Sequence, residues 1–231
     1  YNMPTKYNFI ESLGKIDLFI NATIDDNVSP VIPIINEIGN MVMQKLYGTV
    51  LSIRYNLTDT VLHYETDKKN IAYSAFVSEV CSICRSNSSC RDIIILDDEI
   101  RCIYNTSLKS EVNAVIDDLA RIHSLASIVE KKIGFPYKSL LVKLSACYGR
   151  LDMSVIEQPS MHLQFRWSGF AWKKAILLSE KAKDNYTLVN RVIWNNLTDD
   201  NQKLFKLLDA SEEIYEGNII NLAMNNWVIS K

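Results

Sequence analysis

Glycine is scarce in this chain, with only seven in 231 residues. That scarcity excludes the glycine-rich phosphate loops of the Walker and dinucleotide-binding types, and neither signature occurs. Histidine is scarcer still. His63, His123 and His162 are scattered and none is paired in sequence with a nucleophile, so histidine-based nucleophilic catalysis is not expected. No run approaches the roughly 18 to 20 apolar residues of a membrane span, and the first residues lack the basic, apolar, small-residue pattern of a secretory signal. A cytoplasmic location without a membrane partner is therefore expected. Charge of one sign is also lacking: the formal net charge is −2, which gives nucleic acid no broad attraction.

What is present is apolar patterning. With 48% hydrophobic and 23% charged residues, the chain can bury one substantial core. Val31, Ile34, Ile35, Ile38, Met41, Val42 and Leu46 recur at helical spacing, so residues 1–48 read as a helical extension packed on a main domain, 49–231. Within that domain Thr49 to Arg54 reads as a strand and Asn70 to Arg85 as a helix. Two apolar runs, Ile93 to Leu96 and Ile100 to Tyr104, flank Asp97, Asp98 and Glu99, which is the pattern of a hairpin with an acidic tip. Glu111 to Lys132 is the clearest helix, stopped by Gly134 and Pro136. Strands at Leu140 to Cys147 and Met161 to Trp167, a helix at Gly169 to Lys183, a strand at Tyr186 to Val189, and short helices at Asn201 to Leu208 and Ile219 to Trp227 complete the reading. The order predicts an α/β (α+β) fold, a ferredoxin-like β-α-β-β-α-β core with a C-terminal extension and an N-terminal helix.

Two features leave alternatives open. Asn21, Asn56, Asn87, Asn105, Asn185 and Asn196 all lie in N-x-[ST] triplets, the mark of a secreted glycoprotein module, although Asn105 falls in a stretch that reads as core. Cys81, Cys84, Cys90 and Cys102 resemble a metal-ligand series, but they lie on apolar faces without a nearby histidine, and reduced core thiols fit better.

Three segments carry a family likeness. Cys90 to Thr106 resembles the metal-binding hairpin of class III nucleotidyl cyclases, Trp167 to Leu178 is similar to the segment preceding and opening their substrate-contacting helix, and Tyr148-Gly149-Arg150 looks like the strand end they place beside the nucleotide. Within the class, the chain is most similar to the pyrimidine cyclases of the bacterial Pycsar antiphage systems, which make cyclic UMP or cyclic CMP from UTP or CTP. The resemblance runs from about Thr49 to the C-terminus. It implies a dimer with active sites at the subunit interface and a two-metal mechanism, with Mg or Mn held by two facing carboxylates.

At those positions the sequence departs from the pattern. Asp98 fills the hairpin position, with Asp97 where glycine is usual, but the first-strand carboxylate falls on Ser52 or Arg54, and Asp59 is the nearest acid downstream. The transition-state asparagine falls on Lys173 and the next polar position on Leu177. The expectation is a pseudocyclase that acts by pairing, as a homodimer or with an active cyclase, or by binding a pyrimidine nucleotide, with no metal cofactor. The alternative is an active pyrimidine cyclase whose unusual site draws on Asp97, Asp98 and Asp59.

Overall fold

The computed structural model describes residues 9–21, 28–33, 43–157 and 163–220. Among them, one eight-stranded sheet runs in the order β2-β3-β1-β4-β6-β8-β7, with β5 paired to β4. The central strand β1 (Met43–Leu57) is antiparallel to β3 (Glu99–Tyr104) on one side and to β4 (Leu140–Glu157) on the other. It is buried without a break from Gly48 to Ile53 because both of its faces are covered there. Leu51, Ile53 and Tyr55 face one helical layer, while Leu46 and Val50 face the opposite core.

The first layer is α2 (Thr66–Ser86) and α3 (Lys109–Ile133). Phe76, Val80 and Cys84 of α2 meet Val115, Ile116, Leu119 and Ile122 of α3 over the sheet. Glu111 caps the start of α3 by accepting from the Leu108 N–H at 2.8 Å. Gly134, in the left-handed region at φ 75°, ends it. Against the other face lies α4 (Phe170–Lys181), which buries Ala171, Ala175 and Leu178. Small residues bring this helix close. A Cβ on Gly149 of β4 would sit 2.7 Å from the Phe170 ring, so the strand needs glycine where the helix crosses it.

The hairpin strands β2 (Cys90–Ile95) and β3, with β1 and β4, complete the ferredoxin-like core with its expected order, and the mixed α+β architecture is as predicted. Beyond β4, β5 (Leu163–Ser168) folds back on the second half of β4, whereas β6 (Thr187–Asn190) pairs in parallel with its first half. Asn190 bridges the change of partner: its side-chain amide donates to Tyr148 O at 2.9 Å and its carbonyl oxygen accepts from Tyr148 N at 3.3 Å. Short helices α5 (Arg191–Asn195) and α6 (Asp199–Gln202) lead to the hairpin of β7 (Phe205–Asp209) and β8 (Ile214–Gly217).

Three expectations need correction. Met43 to Leu46 are not helical but open β1, in register with Leu151 to Ser154; the long β4 partner decides there, not local spacing. Residues 31–33 are not helical either, and the remainder of that expected helix, 34–42, lies outside the described residues. The N-terminal helix instead falls earlier, as α1 (Phe9–Ile20). The stretch Asn201 to Leu208 is only helical to Gln202, because Phe205 to Asp209 pair with β8. The helix expected at Ile219 to Trp227 lies almost wholly outside the described residues.

Candidate functional site

Residues 52 and 54 point from β1 toward α4, opposite Arg101 and Glu99 of β3. Glu99 is a strand residue rather than part of the hairpin tip, and it is only 2% exposed. Arg101 grips it through both oxygens, Nε to Oε1 at 2.8 Å and Nη2 to Oε2 at 2.6 Å. The Ser52 hydroxyl donates to Oε1 at 2.6 Å and lies 2.6 Å from the Ser179 hydroxyl of α4. Burial pushes the Glu99 carboxyl up, but the Arg101 and Ser52 hydrogen bonds and the charges of Arg101 and Arg54 outweigh it and hold the group below its ordinary value. Arg101 in turn lies 4.8 Å from the Trp172 ring centre.

Arg54 sits at the mouth of this cluster. Its guanidinium reaches Asp98 at 3.3 Å, Glu99 at 3.6 Å and Glu180 of α4 at 2.9 Å. The hairpin tip is fixed beside it: Tyr55 N donates to Asp98 O at 3.1 Å, and the Tyr55 hydroxyl donates to Asp97 O at 3.1 Å. One guanidinium therefore ties β1, the hairpin and α4 together.

The other expected site residues are distributed around this point. Asp98 reaches the cluster with a side chain 68% exposed, and Asp97 contributes its backbone carbonyl. Asp59 is exposed in a 3₁₀ turn after β1, where the Thr58 N–H bonds Ser139 O on the β4 side, away from the hairpin. Lys173 and Leu177 lie one turn apart on the exposed face of α4, Leu177 being 50% exposed. Tyr148, Gly149 and Arg150 are not at a strand end but in the middle of β4, opposite Thr49, Gly48 and Tyr47, because the β1–β4 ladder continues to Ser154. Tyr148 stacks on Tyr47 with ring centres 6.0 Å apart, Gly149 faces Phe170, and Arg150 is exposed.

Glu99, Arg101, Ser179 and Glu180 escaped the sequence reading. Two signals were available for the first pair: charged residues spaced by two inside an apolar strand share one face, and Ser52 and Arg54 have the same spacing. The α4 partners had none, since only tertiary packing brings them to β1.

No protein-family model matches the chain. A uridylate cyclase of Treponema porcinum is 23% identical over 98% of this chain and 82% of its own length. The crystal structure of the adenylyl cyclase CyaB from P. aeruginosa superposes with a TM-score of 0.61 at 10% identity, covering 76% of this chain and 95% of that one. The chain has the fold of a class III nucleotidyl cyclase domain. A class III adenylyl cyclase-like ATP-binding protein from Pseudomonas aeruginosa also shares it, with a TM-score of 0.64 at 12% identity over 94% of this chain, which spans about half (49%) of that protein.

Class III cyclases use divalent metal, and the residues of this cyclase-fold domain do not fit it. Ser52 and Arg54, the two residues on which the first-strand position was expected to fall, offer no carboxylate: the Ser52 hydroxyl is committed to Glu99, and the positive charge of Arg54 lies among Asp98, Glu99 and Glu180. A divalent ion about 4 Å from a guanidinium would meet repulsion of roughly 8 kcal/mol at an effective dielectric of about 20. Among the described residues, no three His, Cys, Asp or Glu side chains are grouped to hold an ion. The five cysteines are free thiols, with Cys84 and Cys102 in contact at 3.5 Å inside the α2–α3 core, and Asn105 of the glycosylation triplets is buried at 6% exposure, accepting from the Ile32 N–H. No helix among the described residues is long and apolar enough to cross a membrane.

Proposed function

We propose that this domain is a cytoplasmic pseudocyclase of bacterial cyclic-pyrimidine signalling of the Pycsar type, which binds a pyrimidine nucleoside triphosphate without cyclising it and acts as a subunit of a dimer. The observation that carries the reading is Arg54, an arginine seated against the residual carboxylate Asp98. Cyclisation needs the ribose 3′-hydroxyl activated and the pyrophosphate charge neutralised, and two metal ions do both at once. A fixed guanidinium saturated by three carboxylates does neither, because it accepts no ligand and has no uncompensated charge for a leaving group. Lys173 at the position of the transition-state asparagine donates only as a point charge, and Leu177 donates nothing.

The pyrimidine preference follows the uridylate cyclase relative, whose alignment spans nearly the whole chain. The dimer follows the class, whose domains commonly pair, and the exposed stripe Phe170, Lys173, Leu177 on α4, of which Phe170 is 55% exposed. In the test, purified protein is incubated with UTP, CTP, ATP or GTP and manganese, and products are resolved by mass spectrometry while calorimetry follows binding. UTP or CTP should bind with no cyclic product formed. Cyclic UMP or CMP that is lost in Asp98→Asn would refute the pseudocyclase reading.

A further inference from the structure

Four of the five cysteines gather where α2 meets the hairpin, in a cluster that the proposed function does not use. Cys81 and Cys84 are buried residues of α2, Cys102 lies in β3, and Cys90 opens β2 half-buried. Cys81 shares a surface groove with Ile95 of β2. Within the cluster one pair is in contact: the Cys102 thiol donates to Cys84 Sγ at 3.5 Å, with both side chains fully buried. That hydrogen bond holds the Cys84 thiol below its ordinary value against burial, while the same bond together with burial holds Cys102 well above it. The two sulfurs thus divide the roles that oxidation of a dithiol requires, one readier to attack and one beside it to complete the bridge.

We propose that Cys84 and Cys102 are a redox-sensitive pair, which hydrogen peroxide converts to a disulfide that clamps the end of α2 to β3. The Cys84 thiolate attacks one peroxide oxygen and the O–O bond breaks. The departing hydroxide takes up the proton that Cys84 released, leaving a sulfenic acid on Cys84 and one water. The Cys102 sulfur then attacks the Cys84 sulfur, the S–O bond breaks, and hydroxide leaves with the Cys102 proton as a second water. Two cysteines lose two electrons and two hydrogens, and an added dithiol returns them. From their contact at 3.5 Å the sulfurs close by about 1.5 Å to reach bonding distance. Peroxide is little larger than water, and Cys84 lies in the last turn of α2, which ends at Ser86, so opening of a helix end admits it. The partners are 18 residues apart, and the loop they close contains β2 and the tip residues Asp97 and Asp98. Cys102 faces the α2–α3 core, whereas its strand neighbour Arg101 faces the Arg54 cluster, so the bridge pins the hairpin from behind its charged face.

In the test, reduced wild-type protein is treated with equimolar hydrogen peroxide, the remaining thiols are alkylated in urea, and unreduced tryptic peptides are read by mass spectrometry. Peptide 70–85, which carries Cys81 and Cys84, should be joined to peptide 102–109, with Cys81 alkylated and three of the five thiols still free. Amide hydrogen exchange across the hairpin should slow by roughly tenfold or more. The unfolding constant from urea melts should fall by on the order of a hundredfold, the effect of closing a loop of this length, and dithiothreitol should reverse both changes. Five thiols still open to alkylation overturn the proposal, as does a bridge to Cys81, to Cys90 or between two chains. A Cys84–Cys102 bridge that leaves hairpin exchange unchanged removes the clamp and overturns it too. In Cys102→Ala, dimedone should trap Cys84 as its sulfenic acid, and trapping confined to the more exposed Cys90 counts against the assigned order of attack. The wild-type measurements decide the outcome whether or not the variant folds, and none involves a nucleotide, so the result is independent of the pseudocyclase reading.

Discussion

At the scale of single residues, the interior holds two titratable groups with opposite pH signatures. His123 on α3 is 2% exposed, with Nε2 3.1 Å from the Thr187 hydroxyl, and burial pushes its pKa down to about 4. Asp118, five residues earlier and 1% exposed, is pushed up to about 6 by burial, against hydrogen bonds from Asn87 and Tyr104 and the charge of Arg121. Between pH 4 and 6.5 the unfolded chain takes up a proton at His123 that the folded chain refuses, so this group's stabilisation is lost as pH falls through that window. For Asp118 the folded chain holds the proton more tightly, so its stabilisation is present below about pH 4 and is lost as pH rises to 6. Each effect is on the order of 3 kcal/mol, and they oppose one another. Wild-type stability from urea melts is expected to be nearly flat from pH 4 to 6, whereas His123→Asn should become less stable as pH rises across that range. A profile parallel to wild type would show that His123 does not titrate as a buried group. The sequence placed His123 inside the long helix, but its burial against β6 depends on a strand 64 residues away.

At the scale of elements, one side chain joins the clearest helix to the longest strand. Glu130, near the C-terminal end of α3 and 3% exposed, accepts from Lys138 N at 3.2 Å and from Leu140 N at 2.7 Å, and so starts β4. Hydrogen bonds to a charged acceptor contribute about 1.5 to 3 kcal/mol each, and a buried donor left without a partner costs a similar amount. Glu130→Ala should therefore lower unfolding free energy by about 2 to 3 kcal/mol in urea titration, with Glu130→Gln, which keeps one acceptor, falling between; no loss in Glu130→Ala would mean the turn is held by other groups. The helix itself was legible because Val112, Val115, Ile116 and Leu119 recur at helical spacing on one buried face. The start of β1 was not: Met43 to Leu46 also fit a helical stripe, and only pairing with Leu151 to Ser154 resolves the ambiguity.

At the scale of the whole molecule, α4 presents one face to the sheet and leaves Phe170, Lys173 and Leu177 outward. Apolar residues at exposures of 55% and 50% on one stripe form a contact surface for a second subunit in the proposed dimer. Leu177→Glu is expected to convert a sedimenting dimer to monomer with unchanged far-ultraviolet circular dichroism; a variant that stays dimeric removes α4 from the interface.

The sequence by itself determined the layers and the residue types at the candidate site. Apolar periods of two and near 3.6 specify which stretches become strands and helices, and the residue types at 52 and 54, a serine and an arginine, are read directly from the chain. Only the tertiary structure decided what those residues do. Ser52, Arg54, Glu99, Arg101 and Glu180 are drawn from three separated segments and meet because β1 lies between β3 and the crossing helix α4. Charge compensation depends on distance in space, and distance in space between remote segments is set by sheet order and helix packing rather than by local pattern.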